Sequence, residues 1–376
     1  MTIPDFKLER YFARWEFAAP HLLCTSDVEG LPMADLLDMA DDEGRALWSG
    51  LKLGYTEAAG HPLLRAEIAG LYEGVHPDEV LVFAGAEEAI YVFMRTVLGP
   101  GDRVVVTWPG YQSLYEVARS TGAEVDLLPL DPANGWALDF DLLRATLSPS
   151  TRAIVVNYPH NPTGSLLRRE EWDRLVELAR EAGVLLFSDE VYRFLEHDPA
   201  DRLPAAVESY ERGFSLGVMS KSFALAGLRV GWLATHDADL LRRVASYKDY
   251  TSICCSAPGE VLSIVALRAR ERVLERSRGI VLDNLARLDA FFDEWRGVLE
   301  WTRPRAGSTA FPRLVPDDMD VEAFAEALRE EEGVLVLPGT LMDYPGSRFR
   351  IGYGRTGMPA ALDGLGRFLE RRFGRP

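Results

Sequence analysis

Lys221 is the residue whose setting most invites chemistry. It follows an apolar run at 214–219, in the order Ser220, Lys221, Ser222, and Arg229 comes eight residues later. An amine at the mouth of a buried strand is partly dehydrated, and dehydration disfavours the ammonium relative to the free amine that condenses with carbonyls. Arg229 offers a planar fork of N–H donors suited to an oxyanion. Taken singly, the two are ordinary cations of a solvated loop. Two further polar clusters also stand directly behind apolar runs: Asn157, Tyr158, Pro159, His160, Asn161, Pro162, Thr163, Gly164 in one case, and Ser188, Asp189, Glu190, Val191, Tyr192 in the other. Loops at the C-terminal ends of neighbouring parallel strands open into one crevice, so the three clusters predict a shared site if the runs are such strands.

The surrounding pattern supports that condition. Apolar runs of strand length at 79–84, 103–107, 124–128, 153–157, 185–188, 214–219 and 230–234 alternate with longer stretches of helical periodicity. Several are too uniformly apolar to have a wet face. Helices are expected at 86–98, 111–120 and 169–182, the last stopped by Gly183. Beyond residue 257 the pattern becomes a long charged and apolar helix through Trp295, then a short αβ region at 307–314, 320–331 and 334–337, and a final helix from Pro359. The expected fold is α/β, with a large domain at 45–257 around a mostly parallel central sheet and a smaller α/β domain at 258–376. In the first 44 residues, 6–17 precede a turn-rich 24–30 without a sheet partner nearby in sequence. This segment is expected to join the small domain or cover the site.

Composition narrows the functional classes. The 376 residues are 47% hydrophobic and 26% charged, within the range of folded proteins and outside that of disordered or fibrous ones. Subtracting 58 acidic from 41 basic residues gives a net charge of −17, which repels phosphate backbones and anionic bilayers and argues against nucleic-acid and membrane partners. Cys24, Cys254 and Cys255 are odd in number and lack any CxxC spacing, so neither a disulfide scaffold nor a metal site is expected. His61 and His160 read as polar loop residues. Without a leader-like apolar stretch near Met1 or an 18-residue uncharged run later, a cytoplasmic location is expected.

In these motifs the chain resembles the fold type I pyridoxal 5′-phosphate (PLP) enzymes, and among them the class I and II aminotransferases, from about residue 51 to 354. Asn161-Pro162-Thr163-Gly164, Asp189 with Tyr192 three residues on, and Ser220-Lys221 with Arg229 stand in the family's order and spacing. The resemblance implies PLP as cofactor, with Lys221 forming the internal aldimine and later carrying the substrate α-proton. It implies Asp189 on the pyridine nitrogen, because an anion there keeps that nitrogen protonated and the ring able to accept electrons. Asn161 and Tyr192 resemble the donors to the ring oxygen, and Tyr111, which alone would read as a core aromatic, the residue stacked on the ring face. The phosphate would lie at the N-terminus of the helix opening at Gly85, on the amides of Ala86 and Glu87, with the side chains of Glu87 and Glu88 turned away and Arg229 supplying charge. Many relatives carry Ser or Gly where this chain has Val218, so Ser220 is expected to take more of the phosphate's load. Tyr55 resembles a tyrosine that reaches the phosphate from the neighbouring subunit, which implies a homodimer with shared active sites. Arg350 resembles the arginine that binds the substrate α-carboxylate, with Asn161 beside it.

The implied reaction moves an α-amino group between an L-amino acid and a 2-oxo acid. The cofactor motifs fit elimination, cyclisation or oxidase chemistry equally well. Glu16 and Asp27, in the stretch from Arg14 through Cys24, Thr25, Ser26, Asp27 to Glu29, could receive a cationic side chain such as a guanidinium. A further similarity, in 248–256 and 307–313, is to capreomycidine synthase and other enzymes of guanidino amino acids. Read alone, these acids are a solvated face. A ligand-sensing regulator on this fold would need a basic DNA-binding module, and the acidic residues ahead of Leu51 do not form one.

Overall fold

The computed structural model describes residues 3–316 and 319–375. Eight strands form the central sheet: β1 (Val80–Phe83), β2 (Arg103–Trp108), β3 (Glu124–Asp131), β4 (Ala137–Leu138), β5 (Thr151–Asn157), β6 (Leu185–Asp189), β7 (Gly213–Val218) and β8 (Gly231–Ala234). Their spatial order is β1-β8-β7-β6-β5-β2-β3-β4. From β7 across to β3 all neighbours run parallel, whereas β8 runs against β1 and β7, and β4 against β3. The chain is thus an α/β protein with a large, mostly parallel sheet.

Helix α1 (Lys7–Trp15) opens the described chain, and α2 (Ala86–Val97), α3 (Gln112–Ser120) and α4 (Arg169–Ala182) connect strands of the sheet. Side chains alternate across the pleat: Val104, Val106, Val155 and Phe187 enter an apolar cluster with α2 and α3, while Val105, Ile154, Val156 and Leu186 enter another with α4. Burial of both faces is the physical reason these strands read as unbroken apolar runs.

The expected helix through Trp295 divides at Ala269 into α5 (Ala257–Arg268) and α6 (Arg270–Glu294). Each part packs in a different place. Leu262, Ile264 and Val265 join a cluster with Val80, Val82 and Trp232 beside the sheet, whereas Val281, Leu285 and Leu288 join the C-terminal cluster of Phe324, Phe349 and Phe368. The C-terminal part carries β9 (Thr309–Ala310), β10 (Leu337–Pro338) and β11 (Phe349–Gly352) in the antiparallel order β9-β11-β10, with α7 (Val321–Glu332) and α8 (Met358–Phe373) packed on it.

The N-terminal segment finds its sheet partner far away in sequence, where His21 and Leu22 pair in parallel with Val334 and Leu335. Helix α1 is held nearby by Leu8, which packs with Leu335 and Leu337, and by the Tyr11 hydroxyl, which donates to the Val336 carbonyl at 2.9 Å. None of the described helices is long and apolar enough to cross a membrane.

Candidate active site

Adjacent parallel strands bring the three clusters of the sequence together. β5, β6 and β7 lie side by side, in the register Asn157 to Asp189 to Leu216, so the residues after each strand enter one cavity of about 410 Å³. Asp189 ends β6 and is 4% exposed. One of its carboxylate oxygens accepts from the Val191 N–H at 3.2 Å, and burial pushes its pKa up to about 7 against the pull of that bond and of Lys221. Asn161 is fixed from behind by Asn157, whose side-chain oxygen accepts from the Asn161 N–H at 2.8 Å. The Tyr192 hydroxyl is buried in the cavity wall without a hydrogen-bond partner. Lys221 reaches the same space, its Nζ 5.7 Å from the centre of the Tyr192 ring.

An anion cradle adjoins this group because β8 runs in reverse. Its first residue, Gly231, pairs with Phe83, the last residue of β1, so Arg229 and the start of α2 arrive at the same edge as the ends of the parallel strands. Gly85 caps α2 at φ 97° and ψ 169°, a conformation that side chains resist, and a Cβ there would lie 2.8 Å from Arg229 Nη2. Arg229 has no ion-pair partner among the described residues. Ala86, Ser220 and Val218 line the adjoining wall, the last presenting only carbon. Free helix N–H groups beside an unpaired guanidinium suit a phosphate.

One expectation here needs correction. Glu88 turns away, accepting from Ala84 N–H at 2.6 Å and Ser252 N–H at 3.0 Å, but Glu87 does not. Its carboxyl stays in the cavity wall near Tyr111 and Ser113, where burial raises its pKa and favours the neutral form. The raised pKa lessens the repulsion between this carboxyl and an anion at the helix N-terminus.

Opposite the sheet, Arg350 rises from β11 and is 1% exposed. Its Nε and Nη2 donate to the Cys24 carbonyl at 3.1 and 2.8 Å, and its Nη1 donates to the Asn161 side-chain oxygen at 3.2 Å. These use three of the five guanidinium N–H groups, and the two left, one on each terminal nitrogen, form a fork for a carboxylate. Tyr111 caps α3 at the cavity edge, its ring 5.1 Å from that of Phe6. Helix α1 adds Leu8, Glu9 and Phe12 to the roof.

The acids proposed for a cationic substrate differ. Asp27 lines the cavity but is already paired with Arg355 at 2.8 Å. Glu16 also lines it, has no ion-pair partner among the described residues, and has its pKa raised by burial and by Asp27. Tyr55 stands outside the cavity and is 92% exposed. His160 proves not to be a plain loop residue: it is 1% exposed and joins two site loops, one ring nitrogen at 2.8 Å from Thr163 Oγ1 and the other at 2.8 Å from the Pro109 carbonyl. Ser26 also lines the cavity, and because its partner Lys221 lies 195 residues away it leaves no local signal in the sequence.

The chain's own groups fit PLP. A buried carboxyl without an ion-pair partner among the described residues, an unpartnered tyrosine hydroxyl, a lysine amine and an unpaired arginine at a glycine-capped helix N-terminus answer its ring nitrogen, ring oxygen, aldehyde and phosphate. The sequence matches the family model for aminotransferase class I and II over residues 22–363. Capreomycidine synthase of Streptomyces vinaceus is 34% identical over 294 residues, 78% of this chain and 75% of the relative. Arginine–pyruvate transaminase of Pseudomonas aeruginosa is 31% identical over 299 residues, 76% and 74% of the two chains. A solved PLP-dependent aminotransferase from Streptococcus suis is 32% identical with a TM-score of 0.93, each chain 99% covered.

Proposed function

The chain belongs to the class I and II aminotransferases and is a PLP-dependent transferase, and from that membership we propose that it moves the α-amino group of an L-amino acid onto a 2-oxo acid with Lys221 as the cofactor-bearing lysine. The observation that carries the proposal is the meeting of Lys221, Asp189 and the Arg350 fork in one cavity. Bound there, PLP supplies an aldehyde that condenses with amines and a ring that takes up electron density from the α-carbon. Asp189 provides the anion for the ring nitrogen, while Asn161 and Tyr192 direct donors at the ring oxygen. The amides of Ala86 and Glu87, Ser220 and Arg229 would hold the phosphate, and Tyr111 would pack against the ring. Arg350 grips the substrate carboxylate and thereby sets which face of the α-carbon meets Lys221. Lys221 Nζ, as a free amine, takes the α-proton and returns it. Leu8 and Phe12 exclude water from above.

We extend the proposal to a homodimer. Tyr55 and Leu53 are exposed, as are Tyr250 and Ile253, and their two loops are joined by the Thr56 hydroxyl, which donates to the Cys255 carbonyl at 3.2 Å. A joined pair of exposed apolar loops supports a subunit contact that brings Tyr55 to the partner's phosphate site.

Glu16 favours a second reading of the substrate and of the exit. An unpaired acid in the wall of a cavity that also holds the Arg350 guanidinium suits a substrate with a distal cation, and two relatives are named for capreomycidine and arginine. One experiment separates the readings: the visible spectrum of the PLP-loaded protein, mixed without oxygen with L-alanine, L-aspartate, L-phenylalanine or L-arginine. Transamination is expected to bleach the lysine-bound cofactor band and a 2-oxo acid to restore it, while Lys221→Ala should fold and have no such band. Spectral change with arginine alone, not reversed by an oxo acid, would replace transamination with elimination, cyclisation or oxidase chemistry on a guanidino amino acid.

A further inference from the structure

Lys221 Nζ donates to Ser26 Oγ at 2.8 Å, its one hydrogen bond among the described residues. We infer that Ser26 is a positioning residue for Lys221, holding the amine in register with the carboxylate anchor. The inference rests on the reading of Lys221 given above and adds no covalent step.

Ser26 is not carried on slack chain. The strap from Leu23 to Glu29 is fastened to the C-terminal part at nearly every residue. Gly352 N–H donates to the Leu23 carbonyl at 3.0 Å, Arg350 grips the Cys24 carbonyl, and the Ser308 hydroxyl donates to the Ser26 carbonyl at 2.9 Å. Asp27 pairs with Arg355, and Glu29 N–H donates to the Gly354 carbonyl at 2.8 Å. Contact with Gly352 is so close that a Cβ there would fall 1.6 Å from the Thr25 carbonyl oxygen. The Ser26 hydroxyl is therefore positioned by β11, the strand that also bears Arg350.

This arrangement has a chemical use. A lysine amine released from the cofactor has four rotatable side-chain bonds, and proton transfer needs it at one spot beside the α-carbon. Around it stand Asp189, Glu16 and the Tyr192 ring, none of them within hydrogen-bond distance of Nζ. Ser26 supplies the missing acceptor, and its hydroxyl oxygen can accept from the neutral amine and, more strongly, from the ammonium left after the proton is taken. Because Arg350 donates to Cys24 two residues earlier, the group that binds the substrate carboxylate and the group that holds the base are parts of one strap.

The test is the rate at which PLP condenses with the cofactor-free full-length chain, followed by stopped-flow absorbance at the lysine-bound band. Ser26→Ala should slow condensation on the order of tenfold, the size of a hydrogen bond to an ionisable amine, while reaching the full final band height. Ser26→Thr, which keeps the hydroxyl, should restore the rate to within about twofold. Ser26→Cys, similar in volume and a weak acceptor, takes the place of the alanine variant if that one fails to fold. Wild-type rates in the alanine or cysteine variant would overturn the inference, as would a threonine variant as slow as the alanine one. A wild-type chain that forms no band at all would defeat the reading of Lys221 itself, before any Ser26 variant is compared, and the inference with it.

Discussion

Asp189 is a buried carboxyl group without an ion-pair partner among the described residues, and burial is the largest cause that carries its pKa to about 7, against the pull of the Val191 N–H and of Lys221. A protonated pyridine nitrogen would supply the absent charge, so the carboxylate and the ring cation stabilise one another. Asp189→Asn keeps the shape and loses the charge. Its kcat is expected to fall about 10²- to 10³-fold in steady-state assays, because electron uptake by the ring then lacks its electrostatic support. His160 poses the opposite problem, since burial lowers its pKa to about 4. The folded ring stays neutral where the unfolded chain, near 6.5, takes up a proton. Its contribution to stability is whole above pH 6.5 and is lost as the pH falls toward 4, by about 3 kcal/mol. Denaturant midpoints measured across that window should fall less steeply with acid in His160→Gln. The sequence makes Lys221, Asp189 and Asn161 legible because each stands in a fixed motif behind an apolar run, and Arg229 because of its fixed spacing from Lys221. Ser26 and His160 escape it because their partners lie 195 and 51 residues away.

Helix α2 makes the same point for elements. Gly-Ala-Glu-Glu after an apolar run marks a strand-to-helix turn in the sequence, but the cradle exists only because the reversed β8 returns Arg229 to that turn. Gly85→Ala forces a side chain into a conformation essentially reserved for glycine and against the guanidinium. PLP affinity, measured by equilibrium titration, should drop about ten- to a hundredfold. Gly74→Ala is the control: its φ of +73° is also unfavourable, yet nothing lies within 4 Å of the added carbon, so stability should fall while affinity holds. All seven strands expected from apolar runs form, and those in the middle of the sheet, buried on both faces, carry that burial most plainly in their composition. The break at Ala269 leaves no such imprint, since apolar residues run on through both α5 and α6 and where each packs is set by tertiary structure.

At the scale of the molecule the open question is what completes the cavity from outside. Tyr55 is a predicted cofactor contact that a single chain leaves outside the cavity, and it sits among exposed apolar residues on joined loops. Nothing in the pattern around Gly54 and Thr56 distinguishes a surface tyrosine from one that serves a neighbour, so only the resemblance singled it out. If the sites are shared, defects at Lys221 and Tyr55 on different chains should complement each other. Lys221→Ala homodimers should be inactive, and Tyr55→Ala homodimers should be impaired at limiting PLP. After the two variants are unfolded and refolded together, half of the dimers formed at random are mixed, and each mixed dimer holds one site with neither defect and one site with both. Activity should then rise above both parents to about a quarter of the wild-type value, the share of intact sites that the twofold arrangement dictates. Complete sites within single chains would instead give only the average of the two parents. Sedimentation at the same protein concentration should register the dimer in every sample, so the comparison reads who supplies Tyr55 and not whether the subunits associate.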